Sequence, residues 1–377
     1  MGRKFKKELK KLAIIGASYL QLPLVEKAKK MGIETHCFAW PDGAVCKDIA
    51  DFFYPISILE KDTILKKCIE INIDGITTIA TDMAVPTICY VAEKMNLVSN
   101  SFLSSLASTN KGEMRNAFKK SNCSVPKFLE TDTIGVNSKD FKFPLIVKPV
   151  DRSGSRGVTK VLFDNELPEA IHYAINESFI KKAIIEEYID GDEVSVETIS
   201  YNGDHTVLTI TDKVTTGAPH FVELAHHQPS QLPKEIQDKI KIETIKCLNA
   251  LDIKFGAGHS EFKITAAGDV FVIEVGARMG GDFIGSHLVE LSTGYDFLEG
   301  VINIALGKYE KPILKNNSFS GVYFLSKETQ EILPYFSQIN SFDIQKEVQN
   351  TTIKNSTNSN DRSGYLIYQD NKKIQLL

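Results

Sequence analysis

Residues 257–281 read "AGHSEFKITAAGDVFVIEVGARMGG", two apolar runs broken by a small, flexible segment, which predicts a β-hairpin. With the turn centred on Ala267-Gly268, Thr265 faces Val270, Phe262 faces Ile273 and Glu261 faces Glu274. One face then carries Phe262, Ile264, Phe271 and Ile273 and reads as core. The other sets two glutamates directly across from each other, with Cβ atoms about 4.5–5.5 Å apart, a placement that repels unless a cation lies between them. Hard carboxylate oxygens suit Mg²⁺, which keeps several waters and takes the rest of its shell from phosphate oxygens. A solvated face with an accidental pair is an equally good reading of the glutamates alone. Arg278 then precedes Gly280-Gly281 and an expected helix start at Asp282; a cation, a flexible backbone and a helix N-terminus together read as an anion site.

A second stretch, "FPLIVKPVDRSGSRGV" at 143–158, spends one position of an apolar strand on Lys148. A lysine there is held by its stem and can aim one charge at a phosphate. The following loop offers backbone N–H groups and two hydroxyls without bulk, as a flap over a triphosphate requires. A plain Ser-Gly β-turn is the blander alternative. Further on, "EEYIDGDE" leads a strand into a turn whose backbone can meet an adenine edge, with Glu193 able to accept from ribose hydroxyls.

Around these segments the chain is long enough for two or three packed units. Its 377 residues, 42% hydrophobic and 24% charged, give a globular composition, and a net charge of -4 provides no general attraction to nucleic acid. Residues 12–108 alternate short apolar runs with amphipathic stretches, predicting a parallel sheet with crossover helices. The first turn, Gly16-Ala17-Ser18-Tyr19-Leu20-Gln21, lacks two glycines of the dinucleotide fingerprint, so a Rossmann-like scaffold is favoured over an NAD site. Asn202-Gly203 predicts a second hairpin, and 233–251 a long helix. The tail from 310 reads as short strands around a polar, mobile "NTTIKNSTNSNDRSG". Six cysteines without metal spacing read as reduced, mostly core-packing thiols. With neither a signal h-region nor an apolar run long enough for a membrane span, the expected address is the cytoplasm, with no membrane partner.

Taken together, these stretches resemble the ATP-grasp superfamily, and within it the carboxylate–amine ligases such as the L-amino-acid ligases. The resemblance covers roughly residues 10–310 and rests on "NKGEMR" at 110–115, "IVKP" at 146–149, the "DRSGSRGV" flap, "EEYIDGDEVSVE" at 186–197, "TDK" at 211–213, "FVELAHHQPSQLP" at 221–233, "SEF" at 260–262 and "EVGARMGG" at 274–281. The fold it implies is α/β and α+β: a Rossmann-like domain over 1–108, then an ATP-grasp domain over 109–310 with ATP between two α+β subdomains. The central subdomain spans about 115–185 with its flap at 151–157, and a small β-rich segment follows at 311–377.

Carried over by position, Lys111 and Lys148 resemble the ATP-phosphate lysines and Ser153, Gly154 and Ser155 the flap. Glu186, Tyr188 and Ile189 match adenine contacts, Glu193 the ribose contact, and Glu261 and Glu274 the Mg²⁺ ligands, with Mn²⁺ an alternative ion. Arg278 matches the cation at the acyl phosphate. Lys213 is either a γ-phosphate contact or an exposed hairpin lysine. His226, Glu223, Gly280 and Gly281 fall at the substrate, while His227 and His259 read as packing or hydrogen-bonding residues. Many members have Asn where this chain has Gly276, so either Glu274 bridges two metals or a second ion is held by ATP and water.

The resemblance implies ADP-forming amide or peptide synthesis from a small carboxylate and an amine, amino acids above all, and is compatible with a homodimer. A purine-pathway or carboxylating enzyme of the same fold is the alternative, although "GASYLQLP" offers few basic residues for a substrate phosphate. A non-catalytic nucleotide sensor is disfavoured because both glutamates and the flap are present.

Overall fold

The structure is a computed structural model that describes residues 9–152, 154, 156–315 and 318–377. Strands β1 (Lys11–Ile15), β2 (Glu34–Phe38), β3 (Phe52–Tyr54) and β4 (Gly75–Thr77) form a parallel sheet in the order β3-β2-β1-β4. Its crossover helices, Leu22–Lys30 and Lys61–Ile71, and the helix Val85–Met95 after β4 follow from the alternation of apolar runs and amphipathic stretches. The turn after β1 is closed by its own side chain. Gln21 Oε1 accepts from the Ser18 amide at 3.1 Å, and its Nε2 donates to Ile79 O at 2.7 Å.

The second sheet is antiparallel: β5 (Phe128–Thr131), β6 (Leu145–Pro149), β7 (Thr159–Val161) and β8 (Ala183–Glu187), ordered β5-β8-β6-β7. The helix Leu167–Glu177 covers it, burying Ile171 and Ala174 with Leu145, Val147 and Ile185.

The third and largest sheet is also antiparallel: β9 (Asp192–Tyr201), β10 (Asp204–Thr215), β11 (Glu223–Gln228), β12 (Gly256–Ile264), β13 (Val270–Gly276), β14 (Phe319–Leu325), β15 (Asp343–Val348) and β16 (Gly364–Asp370). Their order is β13-β12-β9-β10-β11-β14-β16-β15, so the strands of the C-terminal segment extend the sheet that carries the glutamate hairpin. Asn202 and Gly203 both have positive φ (52° and 80°) and turn β9 into β10 as the Asn-Gly signal requires. Helix Lys234–Ala250 packs Ile240, Cys247 and Leu248 against Val194, Val196 and Phe262.

Helix Phe297–Ala305 ties the first sheet to the third, since its Val301 and Ile302 share a core with Leu12, Ile14, Ile199 and Ala257. Gly75 permits this approach: a Cβ there would lie 2.5 Å from Ala305 O. All six cysteines are free and buried. Among the described residues, no helix is long and apolar enough to cross a membrane.

The glutamate hairpin corrects one expectation. Glu261 does pair with Glu274, but the register shifts beside it, so Phe262 faces Val272 rather than Ile273. The turn occupies 265–269, with Thr265 N donating to Asp269 O at 3.0 Å, and a bulge at Ile273 restores the glutamate pairing. The core face is therefore Phe262, Ile264, Val270 and Val272, and Ile273 turns toward the cleft.

Candidate active site

The first sheet, the second sheet and the third sheet enclose a cavity of about 480 Å³, a size suited to a small-molecule ligand. Lys111, Lys148, Gly154, Glu186, Tyr188, Ile189, Glu193, Lys213, Glu223, His226, Glu261, Glu274, Arg278 and Gly281 all line it. Ser153 and Ser155 lie outside the described residues. Gly280 stands just behind the wall, its amide donating to the buried carboxylate of Glu197 at 2.9 Å.

At one end the chain gathers cations. Asn110 caps the helix Lys111–Lys120 through the amides of Gly112 and Glu113, which fixes Lys111 at its first turn. Lys111 Nζ donates to Arg152 O at 2.8 Å and to Glu274 Oε1 at 2.9 Å. Arg115, one turn along the same helix, is fully buried and donates to Glu186 and to the bulge carbonyl of Ile273. Lys148 Nζ reaches the other oxygen of Glu186 at 2.6 Å. Burial alone would raise the Glu186 carboxyl, but Arg115 and Lys148 outweigh it and hold it at about 2. Glu186 thus lines the cleft as an anchor for two cations, its carboxylate already engaged. Burial, with Arg115 and Lys111 nearby, lowers Lys148 from its ordinary value against the pull of Glu186.

Lys213 is buried rather than exposed: its Nζ lies 2.6 Å from Glu193, 2.8 Å from Glu261 and 3.7 Å from Glu223. Burial opposes the charge, but the three carboxylates win and hold Lys213 well above its ordinary value. Glu193 also takes Lys263 at 3.2 Å. Near these residues Ile146, Tyr188, Ile189 and Ile273 form an apolar slot, with Lys160 Nζ 3.6 Å above the Tyr188 ring.

The two glutamates offer a fit for a divalent ion. Glu261 gives one oxygen to Lys213 and His259, Glu274 gives one to Lys111, and the second oxygen of each takes no hydrogen bond from the described residues. His259 is wedged between Glu197 and Glu261; burial lowers it, yet these carboxylates raise it to about 9.

Arg278 is anchored by a residue from the first sheet's end. Its Nη2 donates to Asp82 Oδ2 at 2.9 Å, in the turn that follows β4. A Cβ at position 276 would meet Asp82 Oδ1 at 2.5 Å, so Asp82 occupies the space that an asparagine there would need. The expected helix start at Asp282 is also corrected. Asp282 and Phe283 have φ of 49° and 66°, the helix begins at Ile284, and Asp282 presents a carboxylate to the cleft instead of a row of amides.

Sequence reasoning misses Arg115, Glu197, Asp82 and Arg362, and it names Asp282 only as a helix start. Two carried a signal: Arg115 lies four residues beyond Lys111 on one helix face, and Glu197 four beyond Glu193 on one strand face. Asp82 and Arg362 carried none, since their partners are far away in the chain.

Residues 141–286 match the family model of the ATP-grasp domain. The chain carries an ATP-grasp domain. A D-alanine–D-alanine ligase of Acetivibrio thermocellus is 28% identical over 181 residues, 45% of this chain and 47% of that protein. A formate-dependent phosphoribosylglycinamide formyltransferase of Prochlorococcus marinus is 25% identical over 261 residues, 64% of each. The crystal structure of an L-amino acid ligase from Bacillus licheniformis superposes with a TM-score of 0.78 at 24% identity, covering 97% of this chain and 94% of that one. Matches to the first curated relatives span about half of those proteins' length. Lys148 reaches the cleft from the second sheet and Lys111 from the first turn of its helix, whereas Lys213, Glu261 and Glu274 all stand on the third sheet.

Proposed function

We propose that the chain is an ATP-dependent carboxylate–amine ligase that forms an amide or peptide bond through an acyl phosphate and releases ADP and phosphate. The observation that carries this reading is the opposed pair Glu261–Glu274 facing Lys111 and Lys148 across one cleft, with Arg278 held beside them.

In this reading the slot of Ile146, Tyr188, Ile189 and Ile273 takes the adenine, and Glu193 the ribose. Lys111, Lys148 and Lys213 exchange their carboxylate partners for phosphate oxygens as ATP enters. Glu261 and Glu274 would hold Mg²⁺, which supplies charge neutralisation at the transferring phosphoryl group. The substrate carboxylate attacks the γ-phosphorus, and the bond to the β-bridging oxygen breaks with ADP as leaving group. Arg278 meets the negative charge of the acyl phosphate and of the tetrahedral state that forms when the amine adds to its carbonyl carbon. Phosphate then leaves, and the amine proton passes to solvent or a neighbouring base. Asp82 positions the Arg278 guanidinium for this task.

A purine-pathway or carboxylating reaction is the second reading, supported by the similarity to the formyltransferase. The cleft's far end contains Glu223 and Asp282 as well as Arg362, a poor match for a substrate phosphate. Incubating the protein with ATP, Mg²⁺ and pairs of amino acids, and measuring the nucleotide product, separates the readings. ADP release that needs an amino-acid pair supports the ligase; ADP release that needs bicarbonate or a phosphoribosyl substrate supports the second.

A further inference from the structure

At the end of the cleft remote from Lys111 and Lys148, part of the wall comes from outside the segment that matches the ATP-grasp domain. Arg362, in the loop before β16, reaches back across the sheet. Its Nη1 and Nη2 donate to the two oxygens of Asp282 at 2.7 and 2.8 Å, its Nε donates to Ser359 O at 2.9 Å, and its guanidinium lies 3.9 Å from the centre of the Phe324 ring. Three of its five N–H groups are thereby used, and the planar fork is fixed in place. Burial opposes both charges, but each partner outweighs it: Arg362 is held above and Asp282 below its ordinary range.

Beside this pair sits His226, 1% exposed, with neither ring nitrogen hydrogen-bonded among the described residues and Nε2 3.9 Å from Asp282 Oδ2. A buried polar ring without partners is a costly arrangement that a ligand can relieve. Glu223 reaches the same wall because β11 bulges at Leu224: Thr215 faces Glu223, Val214 faces Ala225 and Lys213 faces His226, so Glu223 and His226 share a face.

We propose that the Asp282–Arg362 pair is the binding site of the amine-donating substrate and that this substrate is a zwitterionic α-amino acid. Its carboxylate takes one of the two free N–H groups of Arg362, and its ammonium lies against Asp282 and Glu223, with His226 as a further hydrogen-bonding partner. A fixed anion and cation side by side complement a zwitterion and leave no net charge to bury. The inference rests on the ligase reading and sharpens it: the product is a peptide with a free carboxylate, not the amide of a simple amine.

The test measures ADP release with the twenty L-amino acids as acceptors and with their α-amides, whose amines are the better free nucleophiles. The acid is expected to exceed its amide in kcat/KM by about tenfold or more, the size of a lost charged hydrogen bond. The doubly neutral variant Asp282→Asn/Arg362→Gln is expected to bring the two within about threefold, mainly through KM. Equal use of acid and amide by the unaltered protein overturns the proposal, and so does a variant that melts lower yet keeps the preference. Hydroxylamine as acceptor keeps the two ideas apart. ADP release with hydroxylamine but with no amino acid refutes this site and leaves the ligase reading standing, whereas no release with any acceptor refutes both.

Discussion

In the proposed reaction Glu274 holds the metal and Arg278 meets the acyl phosphate, so their variants should fail differently. Glu274→Gln removes one carboxylate of the opposed pair while leaving the buried Phe262–Val272 face untouched. ADP release should be lost with the melting temperature nearly unchanged; wild-type turnover at saturating Mg²⁺ would refute the metal assignment. Arg278→Lys keeps a charge but not the two-pronged donor that Asp82 holds in place. Its kcat should fall roughly 10²-fold with little change in ATP affinity. A tenfold loss of ATP binding with kcat intact would make Arg278 a nucleotide ligand. Glu186 belongs to stability. Its carboxyl is held at about 2 in the fold against an ordinary 4.5, so its contribution is present above about 4.5 and disappears as pH falls through about 2. The linked stabilisation is on the order of 3 kcal/mol. Glu186→Gln should therefore melt lower at neutral pH and show a flatter acid limb in a melting-temperature series; an unchanged limb would contradict the Arg115–Glu186–Lys148 cluster.

Lys148 and the Glu261–Glu274 pair are legible because each stands out against its own strand, whereas Lys111 and Lys213 are reached only through the family resemblance. The charges around them are not legible, since Asp82 and Arg362 meet their partners only through the tertiary fold. At the scale of elements, the hairpin shows how a right pairing can come from a wrong register. Symmetry about Ala267-Gly268 put Glu261 opposite Glu274, but the real turn is longer and the bulge at Ile273 compensates for it. No sequence signal marks that bulge, and its carbonyl exists to meet Arg115 on a distant helix. The neighbouring Gly276 makes a further prediction. Gly276→Asn should destabilise the protein, because the new side chain meets the Asp82 carboxylate. Adding Asp82→Ala should recover much of the lost melting temperature, though not the activity that depends on a positioned Arg278. Additive losses in the double variant would contradict this steric account.

At the scale of the whole molecule, the parallel sheet with its crossover helices follows from hydrophobic periodicity, although the short edge strand Phe52–Tyr54 does not. The sequence of the tail predicts short strands around a mobile polar stretch. Its strands continue the sheet that carries the glutamate hairpin, and Arg362 from the polar stretch is seated in the cleft. Polar composition says that a segment lacks a core of its own, but not that it lacks a partner elsewhere. In the proposed reaction this cleft, enclosed by three sheets, hosts transfer of a phosphoryl group to a carboxylate before an amine arrives. That order can be followed by an isotope. With the carboxyl oxygens of the acyl-donating amino acid labelled with ¹⁸O, mass spectrometry of the released inorganic phosphate should find one labelled oxygen per ADP formed. ADP formed in step with product but with unlabelled phosphate would contradict an acyl phosphate and with it the proposed reaction.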